Sequence, residues 1–264
     1  MSKVLFSCRS LTMKFGGLTA LNKLDLDINE GDILGLVGPN GSGKTTFFNV
    51  VTGIYRPTDG QVVFDGWDIT GFSPQAVFEA GISRTFQRSR LCLELSIFDN
   101  IMLGNFKTHN LGILGNIFRR KAFHKTCAEE IEKAVELIRL LNPALVGSIH
   151  RPVADLSMID RRRIEICRAL IGKPRLLFLD EPSAGMTHDE TNQLMDEILA
   201  MKSDERRLTI VLIEHEMGII GKVTTRCAVL NFGEKLCDGT YQSIVENPLV
   251  QEAYLGQEVT EDEV

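Results

Sequence analysis

The residues Gly38-Pro39-Asn40-Gly41-Ser42-Gly43-Lys44-Thr45 have types and spacing that point to chemistry. The run fits G-x-x-x-x-G-K-[ST], the P-loop pattern. Its glycines let the backbone turn tightly enough to aim several N–H groups at one anion. Lys44 adds a point charge for terminal phosphates, and Thr45 offers a hydroxyl to Mg²⁺. Residues Asp32-Ile33-Leu34-Gly35-Leu36-Val37 before the run read as a buried strand. Residues 45–51, beginning Thr45-Thr46, read as the start of a helix, whose dipole would also favour a phosphate. Gly38 through Thr46 are therefore the candidate nucleotide-binding residues.

A second element ends in carboxylates. Leu176-Leu177-Phe178-Leu179 is a short apolar strand, followed by Asp180-Glu181-Pro182. Parallel α/β sheets bind ligands at the C-terminal ends of their strands. One carboxylate there can hold the Mg²⁺ shell while its neighbour deprotonates water. Asp180 is assigned to the metal side and Glu181 to the general base. His215 closes the apolar run 209–214, on the same rim, although a strand-end histidine alone is more often structural than catalytic. Gln87 ends the strand-like run 82–86, where its amide could reach metal-bound or attacking water.

The elements that must position these groups form an interrupted α/β pattern. Strands are expected at 4–8, 21–28, 32–37, 61–64, 82–86, 176–180, 209–213 and 228–232. A short helix opens at Ser73-Pro74, with a capping serine and proline at its first position. From about 88 to 172 helical periodicity dominates. Over 125–141 the residues Ala128, Ile131, Val135, Ile138 and Leu141 mark one expected face. Residues 105–121 read as a mobile or partner-facing excursion, and 258–264 as a frayed acidic tail.

Composition sets the class. The chain has 264 residues, 44% hydrophobic and 24% charged, enough for a substantial core. A net charge of −6 argues against nucleic acid as the main partner. Cys8, Cys92, Cys127, Cys167, Cys227 and Cys237 are scattered with no C-x-x-C pair, as expected of reduced thiols. No signal-peptide pattern opens the chain, and no apolar run nears the ~20 residues of a membrane-spanning helix. A membrane role is expected to be peripheral and cytoplasmic, through a partner.

Taken in order, the P-loop, Gln87, the run 176–182 and His215 resemble the ATP-binding-cassette (ABC) ATPases. That resemblance implies a RecA-like α/β core carrying a helical subdomain, within a single domain spanning 1–264. The core would be 1–88 and 173–238, the helical part 89–172, and a C-terminal extension 239–264. It implies ATP and Mg²⁺ as ligands, Gln87 as a metal and water contact, Glu181 as catalytic glutamate and His215 as switch histidine. Ser183-Ala184-Gly185-Met186 falls at the family's D-loop, and Phe15 where an aromatic ring stacks on adenine, although Phe15 could equally be core. Phe15-Gly16-Gly17-Leu18, Arg84-Thr85-Phe86-Gln87, Ile213-Glu214-His215-Glu216-Met217 and the run from Asn247 to Gly256 are similar to ATPases of branched-chain amino-acid importers. ATPases of urea, amide and lipopolysaccharide systems are similar too. The implied partners are a second cassette (the same chain or another), transmembrane permease subunits and a separate solute-binding protein.

One stretch departs from the family pattern. Its signature, L-S-G-G-Q or L-S-Y-G-E-Q, corresponds here to Leu156-Ser157-Met158-Ile159-Asp160-Arg161. Ser157 is retained, and the resemblance implies that it contacts ATP on the partner cassette. Ile159 replaces a glycine, and a β-branched side chain there is expected to obstruct approach to the partner's phosphate. Either the partner's site is slow, or the motif tolerates these residues. A regulatory ATP-binding subunit and a non-transport cassette ATPase are the rival readings.

Overall fold

Short apolar strands bounded by turns pair in parallel when helices cover both faces of the sheet. β3 (Ile33–Val37), β7 (Leu176–Asp180) and β8 (Thr209–Ile213) are such strands, each buried along its whole length. The computed structural model describes residues 3–87, 90–105, 120–204 and 207–261. With β6 (Ile82–Arg84), β9 (Arg226–Asn231) and β10 (Glu234–Gly239) these strands form a six-stranded sheet, ordered β10-β9-β3-β8-β7-β6. All its pairings are parallel except β9 with β10. The loops after β3, β7 and β8 therefore leave the same edge.

A second, antiparallel sheet is ordered β2-β1-β4-β5, from β1 (Val4–Phe15), β2 (Leu18–Asn29), β4 (Asp59–Phe64) and β5 (Trp67–Asp68). β1 and β2 are longer than the sequence patterns 4–8 and 21–28 suggest. Gly16-Gly17 closes a two-residue hairpin between them, so pairing continues to Phe15 and Leu18. Between the sheets lies α1 (Lys44–Val51), whose Phe47 and Phe48 pack with Phe6 and Phe178 in edge-to-face contacts. Burial pushes the Cys8 thiol up to about 12, leaving it an inert core residue.

Contacts divide the chain into two units. One is Met1–Arg84, Arg175–Glu181 and Arg206–Val264, which holds both sheets; the other is Thr85–Pro174 and Pro182–Glu205. The first also carries α2 (Pro74–Ala80), α7 (Met217–Val223), α8 (Tyr241–Val245) and α9 (Pro248–Glu261). Ser73 caps α2 as expected, its side chain accepting the Ala76 N–H. α9 takes in residues 258–261 of the acidic tail, and 262–264 lie outside the described residues.

The second unit contains α3 (Ile97–Met102), α4 (Arg120–Leu141), α5 (Met158–Leu170) and α6 (His188–Asp204). The sequence division carried 182–205 with the core, but α6 packs on α4 and α5. The buried face of α4 also differs from expectation. It runs through Glu130, Ala134, Ile138 and Leu141, while Ile131 is exposed. Glu130 is tolerated there because Asn105 Nδ2 donates to its carboxylate at 3.2 Å. The excursion at 105–121 lies, apart from its ends, outside the described residues.

Asn100, fully buried, pins the approach to α3. Its amide donates to the carbonyls of Cys92, Leu95 and Ser96 and accepts the Cys92 N–H. Just past α3, Gly104 presses on the end of α5, where an added Cβ would lie 1.9 Å from the Arg168 carbonyl oxygen. Gly104→Ala should cost about 1–3 kcal/mol by forcing those backbones apart. Urea denaturation measures it, and an unchanged midpoint and slope would contradict the close approach.

Candidate functional site

β3 ends at Val37, and the chain turns at once into the loop 38–43 before α1. The turn is possible only with glycine. Gly38 has φ +144, and a Cβ there would lie 2.1 Å from the Leu230 carbonyl oxygen of β9. Within the loop Gly38, Pro39, Ser42, Gly43 and Lys44 are buried, whereas Asn40, Gly41 and Thr45 are exposed. Lys44 folds back on its own loop. Its ammonium donates to the carbonyls of Gly38 at 2.6 Å and Pro39 at 2.8 Å, and to Ser42 Oγ at 3.4 Å. Burial holds its pKa below the usual lysine value, with the Glu181 and Asp180 carboxylates pulling the other way.

The loops after β7 and β8 bring their acid and base to the same place. Glu181 sits one residue past β7 with φ +46, its N–H donating to the Ile213 carbonyl at 3.0 Å. That rare conformation turns its side chain out of the strand. His215 Nε2 lies 2.8 Å from Glu181 Oε1. The imidazole is exposed and the carboxylate mostly buried.

One pocket gathers most of the sequence-selected residues of this unit. Phe15, Asn40, Gly41, Ser42, Gly43, Lys44, Thr45, Thr46, Glu181 and His215 all line it, together with Leu18, Thr19, Ala20 and Phe232. Gly38 and Pro39 lie behind the lining as the buried root of the loop. Phe15 is 41% exposed, held at its edge by Tyr55 with ring centroids 5.3 Å apart, so it is not a core residue. The lining fits a nucleotide: an amide-rich loop at a helix start suits phosphates, and an exposed aromatic face suits a base. Phe232, 82% exposed at a turn, lines the same pocket. Sequence reasoning missed it, although an aromatic before a turn glycine was a usable sign.

Asp180 stands just below this pocket, buried. Arg84, at the end of β6, donates to its Oδ2 at 2.8 Å and to Asn49 Oδ1 and Thr52 Oγ1 of the α1 region. No pattern in the chain order marks this pairing. No cluster of three His, Cys, Asp or Glu suited to a metal exists among the described residues. A phosphate-borne Mg²⁺ needs only one or two carboxylates besides the phosphates, so Thr45 and Asp180 fit it by donor type. Gln87 and Ser157 belong to the second unit. Gln87 is exposed, and its carbonyl accepts from Arg162 Nη2 at 3.2 Å.

A family model described as ABC transporter matches residues 21–184. The chain belongs to the ABC transporter family. A second model, described as branched-chain amino acid ATP-binding cassette transporter, matches 234–260. The high-affinity branched-chain amino acid transport ATP-binding protein BraF of Pseudomonas aeruginosa is 37% identical over 257 residues, covering 97% of this chain and 100% of that protein. The corresponding protein LivG of Escherichia coli is 35% identical over the same length and coverage. Among solved structures, the ADP conformation of an ATP-binding cassette of an ABC transporter superposes with TM-score 0.82 at 26% identity, covering 97% of this chain and 100% of that one.

In this cassette the segment resembling the signature motif starts α5. Ser157 caps the helix, accepting the Asp160 N–H and donating to Asp160 Oδ2 at 2.9 Å. Burial alone would raise Asp160, but bonds from Arg163, Asn142 and Ser157 hold its carboxyl below the usual range. Ile159 does not behave as the sequence suggests. It is only 6% exposed, so its side chain turns inward, and Met158, at 55%, stands at the surface instead. The second residue of a capped helix faces the core here because Ile159, Arg163 and Ile166 share its buried stripe. Ile159→Gly should therefore remove core packing rather than an obstruction, costing about 3–5 kcal/mol. Thermal and urea unfolding check this, and a variant as stable as the parent would restore the obstruction reading.

Proposed function

We propose that this chain is the ATP-hydrolysing subunit of an importer for branched-chain amino acids. In this reading it works as one of two cassettes, seated on the cytoplasmic side of a membrane through permease subunits and supplied by a solute-binding protein. The observation that carries the reading is the pocket in which the loop from Asn40 to Thr46 faces Glu181 and His215. The names of the relatives, and the match of residues 234–260, favour branched-chain amino acids over urea, amide or lipopolysaccharide cargo. Among the described residues no helix is long and apolar enough to cross a membrane, and in this reading the permease is supplied by other chains.

The chemistry follows from the residues. Phe15 takes the adenine face, and the N–H groups of the loop take the phosphates. Lys44 exchanges the carbonyls of Gly38 and Pro39 for phosphate oxygens, which better satisfy its charge. Thr45 and Asp180 would hold Mg²⁺, which neutralises phosphate charge when bound. Glu181 accepts a proton from the attacking water as its oxygen bonds to the γ-phosphorus. The bond to the bridging oxygen then breaks and ADP leaves. His215 keeps the Glu181 carboxylate aimed, and Ser157 serves ATP on the partner cassette.

Three measurements test the proposal. Lys44→Ala should abolish tight Mg-ATP binding in titration calorimetry, and an unchanged dissociation constant would remove Lys44 from the site. Glu181→Gln should retain ATP but slow single-turnover hydrolysis by about 10²–10⁴-fold, the usual worth of a general base. Parent-level turnover would deny it that role. The cargo is tested by co-purifying the chain with its membrane partners, reconstituting them in vesicles and following uptake of labelled leucine, isoleucine and valine. ATP-dependent accumulation is expected; uptake of urea or an amide instead would reassign the cargo.

A further inference from the structure

The C-terminal helix reaches the phosphate loop. The Tyr254 phenolic oxygen accepts the Gly38 N–H at 2.9 Å, across 216 residues of sequence. Gly38 is thereby held on three sides. Its N–H goes to Tyr254, its carbonyl to Lys44 Nζ at 2.6 Å, and its α-carbon abuts the Leu230 carbonyl. Residues Asn40 to Thr46 line the pocket, whereas Gly38 is buried behind that lining, where an unpaired N–H would be costly. Burial raises the Tyr254 phenol above its usual value, with the Gly38 bond pulling the other way, so the group stays a neutral hydroxyl.

We propose that Tyr254 is a positioning residue for the phosphate loop. Its hydroxyl, carried on α9, fixes the first peptide of the loop and with it the carbonyl that tethers Lys44. The seating of α9 then sets how well the loop is preorganised for phosphates, although no described side chain of α9 lines the pocket. This rests on reading residues 38–46 as the phosphate site. It goes beyond that reading by giving the C-terminal extension a part in nucleotide affinity. Preorganisation acts on binding because ordering the loop no longer has to be done when the ligand arrives.

The test is Tyr254→Phe, which keeps the ring and its packing and removes only the hydroxyl. Titration calorimetry with Mg-ATP and with inorganic tripolyphosphate should show both dissociation constants raised, by about 3- to 10-fold for the loss of one neutral hydrogen bond. The two should rise together, since the loop holds phosphates and not the base. Nucleotide-free melting should fall slightly, because the Gly38 N–H is left without its acceptor. Tyr254→Leu should weaken both ligands at least as much and lower the melting temperature further, because it also removes packing. Parent-level affinities in Tyr254→Phe would overturn the proposal, and a lowered melting temperature with unchanged affinities would make Tyr254 an anchor for α9 alone. A parent protein that bound neither ligand would sink the phosphate-site reading itself, which separates the two failures.

Discussion

The loop 38–43 depends on how closely β3 and β9 run together at Gly38. Parallel pairing brings Val37 opposite Val229, and one residue later the Leu230 carbonyl occupies the space a side chain would need. The chain can leave β3 there only as glycine, in a conformation other residues avoid. That exit angle places Lys44 where its ammonium reaches back to two loop carbonyls, and it leaves Asn40, Gly41 and Thr45 facing outward. The loop is thus shaped by the sheet beneath it, with its own residues supplying the donors.

Buried ion pairs hold the surrounding groups. Arg84 and Asp180 are both below a tenth exposed, and the guanidinium fork also serves Asn49 and Thr52. In the helical unit, Arg163 grips Glu197 with two nitrogens and Asp160 with a third. Arg162 pairs with Glu165 and donates to the carbonyls of Phe86 and Gln87, while Glu165 accepts the Arg90 N–H. Taking one partner from such a pair strands a buried charge, at a typical cost of about 3–5 kcal/mol. The backbone on both sides of Gln87 is accordingly fixed by α5, the same helix that Ser157 caps. A change at the start of α5 and one at Gln87 are felt along one rigid element.

Two strand-end residues, Glu181 and His215, meet because of how their strands pair. Glu181 is held in a left-handed conformation by its N–H to Ile213, and Ile213 is two residues from His215. Pairing of β7 with β8 therefore sets the distance between carboxylate and imidazole. A shift in that register would separate them, since neighbouring strand residues point to opposite faces.

Some of this was legible in the sequence alone. The P-loop spacing, the five-residue apolar strands and the Ser73-Pro74 helix start are local patterns, decided by backbone sterics and by which residues follow one another. The edge of the sheet that carries Lys44, Glu181 and His215 follows from them, because parallel strands all end on one side. Other features needed the tertiary structure. The inward turn of Ile159, the Glu130 stripe of α4 and the placement of α6 depend on which helix packs against which face. The Arg84–Asp180 pair joins residues 96 apart, and the Tyr254–Gly38 bond joins residues 216 apart. No periodicity marks such partners: a single arginine or tyrosine looks the same in the sequence whether it faces water or a buried acceptor or donor. Only the folded chain brings the two ends together, and burial then makes the pairing compulsory.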